Sequence, residues 1–116
     1  MAAKSFIIVR TSFTGLHQWK DAPMEVDFLK ALHRHIFYVE AKIPVTHNNR
    51  QLEFFMVKSF LDRSITEMFP TDKLGQVSCE MIAEDLMNRI MKTYGIRKDL
   101  SVYVSEDGEN SGGVEI

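Results

Sequence analysis

The chain has almost no cysteine, no excess of positive charge and no long apolar run, and each shortage removes a class of protein from consideration. A single cysteine, Cys79, among 116 residues cannot form an internal disulfide, and it fits a reducing compartment. Lysine and arginine total 14 against 16 aspartates and glutamates, with no sizeable basic block, so the counterion-displacing stripe that general nucleic-acid binding requires is missing. No run approaches the roughly 18 apolar residues that cross a bilayer. The apolar part of "MAAKSFIIVRTSF" is too short and too interrupted for a secretion signal. These absences lead us to expect a cytoplasmic protein with neither nucleic acid nor membrane as partner. Internal repeats, low-complexity segments and linkers are also lacking, which predicts one domain over residues 1–116. With 45% hydrophobic and 26% charged residues, the composition is that of an ordinary globular protein.

The hydrophobic pattern changes period along the chain. "KSFIIVRTSF" (4–13) is β-branched and aromatic and reads as a strand bounded by "TGL". "HQWKDAPMEVDFLKAL" has mixed polarity, Pro23 and no sustained period, and reads as a long connection with at most a short helical turn. Residues 33–46 alternate as a second strand, closed by "THNNR", whose paired asparagines suit a turn. From Glu53 the spacing becomes three and four, through Phe54, Val57, Leu61, Ile65 and Met68, until Pro70 stops the helix. Ser78 can cap a second helix, with Glu80 in its first turn, an apolar stripe of Cys79, Ile82, Ala83, Leu86, Ile90 and Met91, and Gly95 as C-cap. "LSVYVSE" (100–106) and "GGVEI", separated by the "DGENSG" turn, close the chain as strands. The expectation is an α+β fold: an antiparallel four-stranded sheet in ββααββ order with two helices packed on one face. Its open sheet edges favour self-association.

Two histidines, His33 and His35, stand one residue apart at the head of the second strand, so they share the face of Phe37, Val39, Ala41 and Ile43. Such a pair can turn two ring nitrogens to a common ion about 2 Å from each, and His17, near the end of the first strand region, is the candidate third ligand. Three protein ligands with a free fourth position describe a catalytic rather than a structural zinc site. The alternative is a half-solvated pair with ordinary hydrogen bonds. His47 reads as a turn residue. Cys79, at a helix start whose dipole favours thiolate, also belongs to the apolar stripe, and packing is its simpler role. Glu106 ends a strand, where it is either exposed or a ligand anchor. Met81, Met87 and Met91 follow helical spacing and serve packing.

Taken in order, these pieces resemble the 6-pyruvoyl-tetrahydropterin synthase and 6-carboxytetrahydropterin synthase family of the tunnelling fold. "FTGLH" (13–17) has the family's form of a histidine four residues after a first-strand phenylalanine. "HRHIFYVEAKI" matches its HGH strand except at Arg34, and "QLEF" is similar to the acidic opening of its first helix, with Glu53 for the aspartate. "VSCEMIAEDLMNRI" keeps the glutamate of its second helix as Glu80, with Ser78 for the threonine, and "VYVSED" puts Glu106 at the pterin-holding glutamate.

The resemblance covers nearly the whole chain. It implies a zinc ion held by His17, His33 and His35, a pterin or purine-derived ligand held by Glu106 with Glu80, Ser78 and Cys79 nearby, and a homo-oligomer, a hexamer in the family pattern. The reaction it implies is a zinc-dependent lyase or synthase step on 7,8-dihydroneopterin triphosphate or a related compound. The family's basic cysteine, four residues before the HGH, is Leu29 here, and no histidine lies between the helices. Asp27 and Glu25 are then the nearby acids for a general base. The alternative is a binding protein on the same fold that sequesters or senses a pterin or guanine-like metabolite without turnover.

Overall fold

The computed structural model describes residues 3–116. The elements run β1 (Ser5–His17), a 3-10 segment (Met24–Lys30), β2 (His33–Val45), α1 (Phe54–Met68), β3 (Lys73–Gly75), α2 (Cys79–Tyr94), β4 (Ser101–Glu106) and β5 (Asn110–Glu115). The sheet has the order β3-β1-β2-β4-β5. β1 and β2 pair antiparallel over their whole length, from Ser5 opposite Val45 to His17 opposite His33. β4 joins β2 with Glu106 opposite Phe37, and β5 folds back on β4 through the 107–109 turn.

The α+β class is as expected, but the sheet has five strands and is mixed, not four strands and wholly antiparallel. The additional strand, β3, runs parallel to β1. Leu16 N–H donates to Asp72 O at 2.7 Å and Gln18 N–H to Gly75 O at 3.0 Å. Leu74, buried, lies directly over Gly15, where a Cβ would come within 2.6 Å of its side chain. β1 also runs on to His17, past the predicted end at residue 13. In "MEVDFLK" two short 3-10 turns meet at a kink at Val26.

Both helices begin where capping chemistry places them. The Glu53 carboxylate accepts from the N–H groups of Phe55 and Met56, and the Ser78 hydroxyl accepts from Met81 N–H at 3.1 Å. Gly95, at φ 68°, closes α2 in the left-handed region and donates to Met91 O at 2.9 Å.

Alternation in the strands sends Val9, Phe37, Val39, Ala41, Ile43, Val102 and Val104 to one face, where they meet Val57, Leu61 and Ile65 of α1 and Ile82, Leu86 and Ile90 of α2 in one buried cluster. The opposite face carries Phe6, Ile8 and Tyr38, all exposed. A 13-residue strand is about 43 Å long and a helix of 15 or 16 residues about 23 Å, so the helices leave the ends of the β1–β2 ladder to loops. The histidines occupy one such end. Among the described residues no helix is long and apolar enough to cross a membrane.

Candidate functional site

His17, His33 and His35 come together because of strand register. His17 pairs directly with His33 and Gly15 with His35, and all three imidazoles project from the helix-facing side. Beyond Phe37 the apolar face therefore continues as imidazoles, and Glu106 is delivered beside them by the β2–β4 register. The rings pack edge to face, with centroids 4.5 Å apart for His17 and His33, 5.2 Å for His17 and His35, and 5.0 Å for His33 and His35. One nitrogen of each ring lies within 4.8 Å of those of the other two.

The remaining nitrogens determine which one faces the centre. His17 Nδ1 donates to Val77 O at 2.9 Å, His33 Nδ1 to Ala31 O at 2.9 Å, and His35 Nδ1 to Asp107 Oδ2 at 2.7 Å. Carbonyl and carboxylate oxygens only accept, so each Nδ1 carries the hydrogen and each neutral ring keeps a lone pair on Nε2. Among the described residues, the Nε2 atoms of His17 and His33 are buried without a hydrogen-bond partner. Glu106 Oε2 comes to 3.0 Å from His17 Nε2 and 3.8 Å from His35 Nε2, but its approach to His17 is not aligned as a hydrogen bond. Lone pairs converging from three rings and a carboxylate repel one another unless a cation or proton lies among them. Nitrogens bound to a tetrahedral zinc at about 2.1 Å stand about 3.4 Å apart, so modest ring rotations close this triad on an ion. The donor set fits zinc.

Electrostatics point the same way. Burial holds the His17 imidazole below its ordinary 6.5, outweighing the opposing Val77 hydrogen bond and Glu106 charge, and His33 and His35 add to the lowering. The ring is thus neutral at physiological pH, the form a metal requires. Asp107, in the left-handed region at φ 57°, is held below the usual carboxylate range first by the His35 ring and then by Ile36 N–H, which donates to its Oδ1 at 2.9 Å.

A cavity of about 660 Å³ opens beside the triad, with His17, His33 and Glu106 on its wall. The start of α2 contributes Ser78, Cys79, Glu80 and Met81, and the loops contribute Trp19, Leu29 and Gln76. Every proposed ligand-binding residue, Glu106, Glu80, Ser78 and Cys79, therefore reaches this cavity. Ser78 is engaged as the α2 cap. Cys79 is buried, and desolvation, reinforced by Glu106 and Glu80, pushes its thiol up to about 11.

The acids expected to act as base are placed differently. Asp27 pairs with Lys30 at 3.0 Å with its side chain two-thirds exposed, Glu25 is exposed, and neither lines the cavity. The residue that does face it from that segment is Leu29. Arg34 is exposed, in keeping with its position on the face opposite the histidines, and His47 accepts from Asn49 N–H in its turn at 3.2 Å. Sequence reasoning missed Asp107 and Trp19. The first had a signal, a carboxylate directly after the Glu106 strand end; the second had none, since a tryptophan in an aperiodic loop fixes no direction.

Neither the protein-family models nor the curated proteins contain a match to the chain. Among solved structures it is similar to the crystal structure of uncharacterized protein WS1659 from Wolinella succinogenes, with a TM-score of 0.69 and 13% identity over 98% of this chain and 99% of that one. At that identity the likeness establishes a shared fold alone. The resemblance to pterin synthases rests on the motifs of this sequence.

Proposed function

We propose that the protein holds one zinc ion through Nε2 of His17, His33 and His35 and uses it to bind a pterin or related purine-derived compound in the adjoining cavity. The observation that carries this reading is the set of three anchored Nδ1 atoms, together with the Nε2 atoms of His17 and His33, which are buried at the cavity wall without a hydrogen-bond partner among the described residues. When bound there, zinc would act as a Lewis acid toward a ligand oxygen at its fourth position. Asp107 and the carbonyls of Val77 and Ala31 fix the ring orientations. Glu106 and Glu80 accept hydrogen bonds from ring N–H and amino groups of the ligand.

Of the two functional readings, capture without turnover is the better supported. A proton-moving step needs a base whose pKa lies near neutrality. Leu29 faces the cavity where the family pattern has its cysteine, Asp27 and Glu25 stand outside it, and Cys79 is held protonated. The lyase reading keeps one supporting feature, the Glu80 carboxylate on the cavity wall beside a three-ligand centre. Self-association belongs to the same proposal, because among the described residues β5 and the 5–15 stretch of β1 have no further strand at their outer edges.

Metal analysis followed by separate incubations with 7,8-dihydroneopterin and with its triphosphate tests the proposal. About one zinc per chain, with pterin retained and no product formed, is the expected result. Product formation would establish the lyase instead, and a His33→Ala variant with undiminished metal content would remove the triad.

A further inference from the structure

We infer that Glu106 is a fourth, displaceable ligand of the metal centre, closing the open position of the His17, His33 and His35 triad until a small molecule takes its place. The inference rests on the zinc-site proposal and deepens it by naming the group that holds the fourth position while the cavity is empty.

Strand register brings the carboxylate there. Glu106 pairs with Phe37 across β4 and β2, and residues directly opposite each other in an antiparallel pair point to the same face. Phe37 lies two residues beyond His35, so the Glu106 side chain leaves the sheet on the side of the three imidazoles. The backbone around it is fastened: Asp107 N–H donates to Ile36 O at 2.7 Å, and Glu109 N–H donates to Glu106 O at 3.0 Å. The four side chains stand on three adjacent strands of one chain, β1, β2 and β4, so the set does not depend on a second subunit.

Distance and hydrogen count then separate a ligand from a mere neighbour. Nitrogen and oxygen donors on a tetrahedral zinc, each about 2.0–2.1 Å from the ion, stand about 3.3–3.4 Å from one another. Glu106 Oε2 lies 3.0 Å from His17 Nε2 and 3.8 Å from His35 Nε2, on either side of that spacing for two of the three rings. It is not there as a hydrogen-bond acceptor. Each ring hydrogen is spent at Nδ1, toward Val77, Ala31 or Asp107, so Nε2 meets the carboxylate with a lone pair. The His17 side chain is only 9% exposed, and among the described residues its Nε2 has no hydrogen-bond partner. Two lone pairs in contact are reconciled by a cation that both can bind.

The same carboxylate is free to leave. Its side chain is one-third exposed and lines the cavity, and among the described residues its charged contacts are with the triad alone. An oxygen entering from the cavity can replace it while the three anchored rings stay in place.

Cobalt(II) in place of zinc tests the assignment, because the visible absorption of that ion reports its coordination number and donor set. The cobalt-loaded full chain is titrated with azide, a small competitor for the fourth position. Glu106→Gln is expected to shift the visible bands before azide is added, and to lower at least tenfold the azide concentration that gives half the spectral change. Glu80→Gln, which removes a charge from the cavity wall without touching the triad, is expected to leave the azide-free spectrum as in the wild type and to move the azide midpoint less than threefold. A Glu106→Gln protein with the wild-type spectrum and azide midpoint overturns the inference and leaves the triad standing. Equal azide effects of the two variants overturn it as well, since wall charge and not ligation would then exclude the anion. Should Glu106→Gln fail to fold, Glu106→Asp, one methylene shorter, is expected to give an azide midpoint at least threefold below the wild type, and an unchanged midpoint overturns the assignment. Absence of cobalt absorption in the wild type removes the triad, and the inference with it.

Discussion

Asp107 touches neither the cavity nor the proposed ion, yet it holds the His35 ring in the tautomer that frees Nε2. Carboxylates in that position tune metal sites, and losing one lowers affinity by about 10- to 100-fold. Asp107→Ala should therefore weaken zinc binding by roughly that factor in a competition titration against a chelating dye, while the far-ultraviolet circular dichroism of the folded protein stays the same. Cys79 yields a prediction of opposite character. Its raised pKa means that folding resists ionisation, so this contribution is constant below the unfolded value of 9.0 and is lost as pH climbs toward about 11. Between those limits the wild-type protein should lose up to about 2–3 kcal/mol relative to Cys79→Ala in paired urea titrations. A thiol reagent at pH 8 should label Cys79 slowly until the chain unfolds. At this scale the sequence was most legible where a residue's neighbours decide its role. The HxH spacing announced two co-facing imidazoles. The anchors on the far nitrogens of the triad were hidden, because those of His17 and His33 are backbone carbonyls, Val77 and Ala31, that carry no sequence signal.

Gly15 illustrates what an element requires of its neighbours. Leu74 of β3 sits where a side chain at residue 15 would go, and β3 is held to the sheet by β1 alone. Gly15→Ala should force that strand outward and cost about 1–3 kcal/mol by overpacking, read as a shift in the urea midpoint. Protease cleavage should rise within residues 70–77. The long elements were visible in advance because each repeats its pattern: β2 by twos, α1 and α2 by threes and fours. β3 repeats nothing. Three residues, Lys73, Leu74 and Gly75, are too few for a period, and their pairing depends on a partner distant in the chain. The 3-10 segment was opaque for the same reason, and with it the placement of Asp27 and Glu25 away from the cavity.

For the molecule as a whole, a ligand that binds only the native state adds stability by mass action. Zinc at about 100 times its Kd should contribute about 2.7 kcal/mol, and a domain of this size should melt roughly 10 °C or more higher than after chelation. Differential scanning calorimetry with and without chelator measures this directly, and His17→Ala should abolish the difference. Light scattering after gel filtration tests the proposed assembly, for which a mass above the 13.4 kDa of one chain is expected.

The pairing of His17 with His33 closes the neck of the segment 18–32, which carries Trp19 and Leu29 between its ends. With an ion seated there, that segment becomes a noose cinched at its base. Gain and release of the proposed ion would then tighten or slacken part of the cavity wall, tying readiness for the proposed ligand to occupancy of the metal site.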